Sequence, residues 1–462
     1  MAFRLKSIQL HTAEIPLVNP KRTSISENFY TLLIGNNGTG KSTILSSIAR
    51  HFNTLLNNKR QTSNTVCLKY QNLPSKVIAL TNSISDKFPT DERYRFRYRI
   101  KNTNFKDSRY IYLGARSMMN GFSARALMNK ALDIVLENYS DRKISNIYQH
   151  VFNYLEYAPI LKLNYRFSFR TMNYAPKSKK DIVEYIYDIL QDPRQNFINE
   201  NFVSLVESRM AELCEFIEGN LPKENRNSII INFSSRNIER LSEDNSEYLE
   251  QLRIYNLINI LRKLEIVSNY EIRVFKKNGG EFNFSEASSG EACILSTMLG
   301  LIPVIENDCL VLIDEPEISL HPSWQSRYID LLSGIFSNFH GCHIIIASHS
   351  HFLVTDLPPR NSAVVVLQND GYDITGKLLN QPTFGWSAEN ILLNVFQVPS
   401  TRNYYLSQKI SRSLELIAER QMDTQEFKQL RSELVTYYKL LKETDPLKEI
   451  ISLIRGIRLD HE

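Results

Sequence analysis

Apolar and polar positions along the chain mark out a small set of elements. Residues 30–34 form an almost unbroken apolar run of strand length, and residues 42–57 carry Ile44, Leu45, Ile48, Ala49, Phe52, Leu55 and Leu56 at helical spacing. The pair predicts a buried strand leading through a short polar loop into a helix. Upstream, residues 3–10 alternate as a first strand, expected beside the one at 30–34. Downstream, residues 65–69 and 76–80 read as strands, and 110–115 as another, after which the sheet pattern stops. Between them residues 93–100 alternate strictly, with Arg93, Arg95, Arg97 and Arg99 on one face and Tyr94, Phe96, Tyr98 and Ile100 on the other.

The pattern changes from about residue 116 to 270. Apolar residues recur at helical spacing in 126–136, 144–157, 182–190, 197–217 and 248–266, with Asp181 and Asp192-Pro193 as cap or turn signals. The segments are interrupted and share no sustained heptad, which disfavours a long coiled coil and predicts a helical insertion. A short strand pair, 228–233 and 270–276, is expected to flank its end. An apolar helix from 292 to about 300 follows, then a strand over 309–313. A helix with Pro322 in its first turn is predicted to run to about 339, and strands follow at 343–347 and 363–367.

The tail from residue 403 is helical. Leu406, Ile410, Leu414 and Ile417 form one stripe, Asp423 and Glu426 fit a capping box, and Phe427, Leu430, Leu434 and Leu441 continue the stripe. Asp445-Pro446 opens a last helix. The stripe suits either a partner or the chain's own head, and packing on the head is the expectation. The overall reading is an α/β head with a mixed sheet, in two halves at 1–115 and 271–400. A helical insertion at 116–270 divides them, and a helical tail at 401–462 ends the chain.

Composition narrows the class. A chain of 462 residues is long enough for two or three domains and a large core. Its net charge of +5, from 55 basic and 50 acidic residues, is too small to imply nucleic acid by itself. Cys67, Cys214, Cys293, Cys309 and Cys342 are scattered with no C-x-x-C pair, which fits reduced thiols of a cytoplasmic protein. No signal peptide is read at the N-terminus, where Arg4 and Lys6 interrupt any apolar run. No stretch approaches the ~18–20 apolar residues of a membrane span.

The chemistry lies in the loops between these elements. Gly35-Asn36-Asn37-Gly38-Thr39-Gly40-Lys41-Ser42 matches G-x-x-x-x-G-K-[ST], between a strand and a helix as that motif requires. There the backbone N–H groups from Asn36 to Thr43 can cradle phosphate at a helix N-terminus. Lys41 is expected at the β- and γ-phosphates of ATP and the Ser42 hydroxyl on Mg²⁺. Cys309-Leu310-Val311-Leu312-Ile313-Asp314-Glu315-Pro316 is a strand ending in paired acids, the arrangement of a metal-holding Asp314 and a water-polarising Glu315. Paired carboxylates at the end of a buried strand are costly without a cation. Ser288-Ser289-Gly290-Glu291 opens a helix and is a second candidate anion site. His349, just past the strand at 343–347, is placed to meet a γ-phosphate or the attacking water; His351 is given no role.

These four motifs in this order resemble the ATP-binding-cassette fold in its soluble SMC/RecF branch. The resemblance implies that Ser289 and Gly290 face the phosphate loop of a second subunit, so that ATP is held between two heads of a homodimer or a higher oligomer. It carries Lys41, Ser42 and Asp314 over as nucleotide and Mg²⁺ contacts, Glu315 as general base and His349 as switch histidine. It also implies a long insertion between phosphate loop and signature. No glutamine sits in an unmistakable Mg²⁺-contacting loop; Gln71 is a candidate left unassigned.

Phe384-Gly385-Trp386-Ser387-Ala388-Glu389-Asn390-Ile391-Leu392, with Leu320-His321-Pro322, is similar to the PtuA-like ATPase subunits of Septu-type anti-phage systems, found also beside some retrons. That resemblance implies control of a separately encoded HNH-type (PtuB-like) nuclease. Nuclease activity is not expected in this chain, because the roughly 110 residues after His349 hold no Asp-x-Asp pair and no His-Asn-His signature. The alternative is a RecF-like repair ATPase that binds DNA through Arg93, Arg95, Arg97 and Arg99, and a third reading is a scaffold that binds ATP without turnover. On every reading the protein is expected in the cytoplasm.

Overall fold

Four strands of the larger unit are buried at every position: β3 (Phe29–Ile34), β5 (Val77–Thr81), β11 (Leu310–Asp314) and β12 (His343–Ser348). The computed structural model that places them describes the chain apart from residues 1, 11–12, 20–25, 58–65, 84, 91–107, 115–123, 139–144, 170–175, 177, 193–199, 222–226, 235–245, 370–372, 397–403, 442–444 and 458–462. The alternating arginine strand at 93–100 lies outside the described residues. Two compact units are present, Met1–Trp386 and Ser387–Glu462.

The buried strands belong to a seven-stranded sheet that also holds β6 (Tyr110–Gly114), β13 (Ser362–Asn369) and β14 (Ile374–Leu378), in the order β14-β13-β3-β12-β11-β5-β6. Every neighbouring pair is parallel except β13 and β14. Parallel strands covered on both faces read as continuous apolar runs, which is why these were the clearest strands in the sequence. The helix Lys41–Leu56 packs Ile44, Leu45, Ile48 and Phe52 with Val77, Leu310, Leu312 and Ile345. The helix Ser289–Leu301, buried from Ala292 onward, packs along Ala124–Asn138.

β1 (Arg4–Leu10) is a strand, but it does not lie beside β3. Both edges of β3 are taken, by β12 and β13. β1 instead pairs antiparallel with β2 (Ala13–Pro16) and β4 (Cys67–Gln71) in a separate sheet. Its residues Leu5, Ile8 and Leu10 share a core with Phe3 and Phe52.

The insertion is not wholly helical. Helices form at Ala124–Asn138, Ser145–Tyr154, Lys179–Gln191, Glu200–Ser208, Met210–Asn220 and Ser246–Lys263. Ser178 caps the third of these, with Asp181 completing a capping box. β7 (Tyr157–Phe167) and β8 (Asn227–Asn232) of the same span join β9 (Val267–Lys276) and β10 (Glu281–Asn283), which run past its expected end at 270, in a four-stranded sheet in the order β10-β9-β7-β8. β8 and β9 both pair with β7, not with each other. Tyr157, Leu161, Leu163 and Tyr165 face inward at a period of two, a strand signal that the helical spacing before it obscured. The helix expected to run from Pro322 to 339 is two pieces, Pro322–Gln325 and Tyr328–Ile335.

The smaller unit holds helices Ala388–Asn394, Tyr404–Ala418, Gln425–Tyr438 and Leu447–Gly456. The last three share a core of Ile410, Leu416, Phe427, Leu434, Ile451 and Ile454. Two details differ from the sequence reading. Leu416 is buried and Leu414 is exposed, and Thr424, not Asp423, is the N-cap, accepting the Phe427 N–H. Among the described residues, no helix is long and apolar enough to cross a membrane.

Candidate functional site

The register of the central sheet brings the motifs together. β12 pairs with β3 so that Ser348 sits opposite Ile34, and with β11 so that Ala347 sits opposite Asp314. Three parallel strands therefore end level, and Gly35, Glu315 and His349 follow them along one rim, where open α/β sheets place their ligands.

In the loop after β3, Gly38 and Gly40 adopt φ of 81° and 83°, a region that disfavours side chains. A Cβ on Gly40 would also lie 2.3 Å from Ile374 Cδ1. Thr39 Oγ1 donates to Asn36 O at 2.9 Å, and Asn369 Nδ2 donates to Gly38 O at 2.9 Å. Asn36, Asn37 and Gly38 are exposed, while Lys41 is buried and donates to Gly35 O and Asn36 O at 2.8 and 3.1 Å. Burial holds the Lys41 ammonium below its usual pKa, against the opposing pull of Glu315, Glu317 and Asp314. Thr43 Oγ1 accepts from Lys87 Nζ at 3.0 Å.

Ser42 Oγ donates to Asp314 Oδ1 at 3.0 Å, joining the helix start to the end of β11. Burial pushes the Asp314 carboxyl up to about 7, reinforced by the charges of Glu315, Asp86 and Glu317 and opposed by the Ser42 bond. The half-buried Ser42 hydroxyl and the buried Asp314 carboxylate are a pair of hard oxygen donors that fits a divalent cation such as Mg²⁺. Asp86 was not singled out from the sequence; it is buried, accepting the Tyr112 hydroxyl at 2.7 Å and the Phe88 N–H at 3.0 Å.

Glu315 has a φ of 50° and donates its N–H to Ala347 O at 2.9 Å, so the chain turns sharply at the strand end. Its Oε1 lies 3.7 Å from His349 Nε2. Burial and Lys41 lower the His349 pKa, with Glu315 opposing, so the imidazole is held neutral near pH 7. His351 lies against Phe352, ring centroids 4.1 Å apart. Two side chains that sequence reasoning missed fasten this turn: Glu317 accepts the His349 N–H, and Gln325 Oε1 accepts the Ser350 hydroxyl at 2.7 Å.

Ser288 caps the helix Ser289–Leu301. Its side chain accepts the Glu291 N–H at 3.3 Å, and Glu291 Oε2 accepts the Ser288 N–H at 2.8 Å. Ser288 and Ser289 are exposed, whereas Gly290 is buried, and a Cβ there would lie 2.5 Å from Ser319 O. The turn is thus anchored on the segment after β11 and presents its two serines outward. Gln71 ends β4, paired with Arg4. Asn82, directly after β5, bridges Cys293 Sγ at 2.7 Å and Pro316 O at 3.0 Å.

Comparison with known proteins places this arrangement. The model of the family described as "AAA domain, putative AbiEii toxin, Type IV TA system" matches residues 30–355, from β3 to just past His349. The chain is 26% identical over 216 residues to Septu protein PtuA of Bacillus thuringiensis, covering 43% of this chain and 52% of that one. It is 22% identical over 462 residues to the retron Vc95 probable ATPase of Vibrio cholerae serotype O1 biovar El Tor, covering 93% and 86%. The chain spans about a third and about half of the length of two curated relatives it matches. Among solved structures, the Smc head domain of Pyrococcus furiosus bound to the C-terminal domain of ScpA aligns at 10% identity and a TM-score of 0.31, covering 82% of this chain and 96% of that one.

Proposed function

We propose, from the premise that this chain belongs to the AAA-domain family described as putative AbiEii toxin, Type IV TA system, that it binds ATP with Mg²⁺ and hydrolyses it. The observation that carries this reading is the 3.0 Å bond between Ser42 and Asp314, with His349 and Glu315 3.7 Å apart on the same rim. Phosphoryl transfer to water asks mainly for positioning and charge stabilisation. Backbone N–H groups of residues 36–43 would hold the phosphates. Lys41, which turns its ammonium onto its own loop carbonyls, would turn it to the β- and γ-phosphates instead. Ser42 and Asp314 would hold Mg²⁺, which supplies charge neutralisation on the phosphate oxygens. Glu315 would take the proton of the attacking water, and neutral His349 beside it would donate a hydrogen bond to the γ-phosphate.

Ser288 and Ser289, outward-facing and capped, would complete the site on a second copy of the chain. Closure of two heads on ATP would then bias the insertion and the smaller unit, and through them a separately encoded HNH-type nuclease in anti-phage defence. The likeness to a Septu protein and to a retron ATPase supports this finer reading. The test is Glu315→Gln: it should abolish turnover while leaving ATP binding intact, and should trap an ATP-bound dimer in size-exclusion chromatography. Undiminished turnover would remove Glu315 as the base; a monomer at every ATP concentration would remove the shared site.

A further inference from the structure

The turn Ser348-His349-Ser350 is gripped by side chains from the segment that follows β11. Glu317 accepts the backbone N–H of His349. Gln325 accepts the Ser350 hydroxyl and donates from Nε2 to Leu320 O at 3.0 Å. The Ser350 N–H closes the turn on Ser348 Oγ at 2.9 Å. Glu317 Oε2 is buried with no hydrogen-bond partner among the described residues. A buried carboxylate with an idle oxygen costs stability unless its other contacts serve something. What they hold is the backbone of the residue whose imidazole faces Glu315.

We infer that Glu317 is a positioning residue: by accepting the His349 N–H it sets the imidazole against the Glu315 carboxylate. The inference rests on the ATPase reading above and adds a residue to it. Gly290 packs on Ser319 O two residues further along the same segment, so the grip on His349 is continuous with the anchor of the Ser288-Ser289 turn. For the bond to His349 the reach of the acceptor matters more than its charge, because the bonded partner is a neutral backbone amide.

Two variants separate reach from charge. Glu317→Gln keeps an acceptor oxygen at the same distance and removes the charge; Glu317→Asp keeps the charge and withdraws the oxygen by one methylene. Steady-state ATPase assays should find kcat of Glu317→Gln within about threefold of the parent. Glu317→Asp should lose about ten- to a hundredfold in kcat, the range for a buried backbone N–H left without its acceptor, with KM for ATP within about twofold. In a His349→Ala background Glu317→Asp should cost nothing further. The opposite order, equal losses in both variants, no loss in either, or additive losses with His349→Ala would each overturn the inference. A parent protein without turnover would instead overturn the ATPase reading itself, a distinct result.

Discussion

Ser42 Oγ and Asp314 Oδ1, 272 positions apart in the chain, meet at 3.0 Å at the end of β11. The register between β3, β12 and β11 levels the strand ends, and the loop after β3 then sets the start of the helix Lys41–Leu56 beside the end of β11.

A divalent cation should therefore stabilise the fold through this pair. With Mg²⁺ and a non-hydrolysable ATP analogue at a hundredfold excess over Kd, the parent should gain about 2.7 kcal/mol, read as a rise in Tm. Ser42→Ala and Asp314→Ala should each lose most of that gain, and a chelator should reduce the parent to their level. A parent whose Tm ignores Mg²⁺ would contradict the pairing's role.

The Ser288–Glu291 turn separates structure from assembly. Gly290→Ala would push a methyl into the Ser319 carbonyl, 2.5 Å away, and should cost about 1–3 kcal/mol in denaturant titrations. Exposed Ser289 touches nothing comparable, so Ser289→Arg should leave stability within about 0.5 kcal/mol. It should nonetheless remove the rise of specific ATPase activity with protein concentration, because the bulk would stand between the two heads. If Ser289→Arg keeps that rise, the second head does not meet this turn.

The smaller unit carries its own core, with Phe427 fully buried at its centre. Phe427→Ala should destabilise that unit by about 3–5 kcal/mol, seen as rapid protease cleavage after residue 387. Thr424→Ala, which removes the cap on the same helix, should cost about 1 kcal/mol. Equal protease resistance in both variants would mean that the unit's stability lies elsewhere.

Much of this was legible because parallel strands and phosphate loops leave strong local marks. β3, β11 and β12 are buried throughout and mostly apolar since both faces are covered, and Gly40 sits at a φ of 83° that favours glycine. Partner choice was less legible: the pattern of residues 3–10 marks a strand, not which strand it pairs with, and β1 buries residues on both of its sides. Leu414 and Leu416 lie on different faces of one helix, and only the two helices packed against it decide between them. Glu317 escaped notice for another reason. Its partner is a backbone N–H 32 residues away, and a backbone donor has no signature in sequence.

The far end of the sheet makes a prediction about acid. His343 is fully buried; its Nδ1 accepts the Leu5 N–H at 3.1 Å, so Nε2 carries the proton and donates to Thr31 Oγ1 at 2.8 Å. The Thr31 hydroxyl passes its own proton to Leu17 O at 2.6 Å, which leaves every group in the chain satisfied by a neutral ring. A second ring proton would meet the Leu5 N–H head on. Burial, with the nearby Arg4 charge, holds the His343 pKa well below its ordinary value. The unfolded chain therefore binds a proton, near pH 6.5, that the native state refuses. Stability is fully present above that pH and should fall as pH drops below it, by up to about 1.4 kcal/mol per unit. His343→Asn keeps an acceptor but cannot titrate, so it should be less stable at pH 8 and should show a flatter slope between pH 6.5 and 5 in urea titrations. An unchanged slope in that variant would place the acid sensitivity at another group.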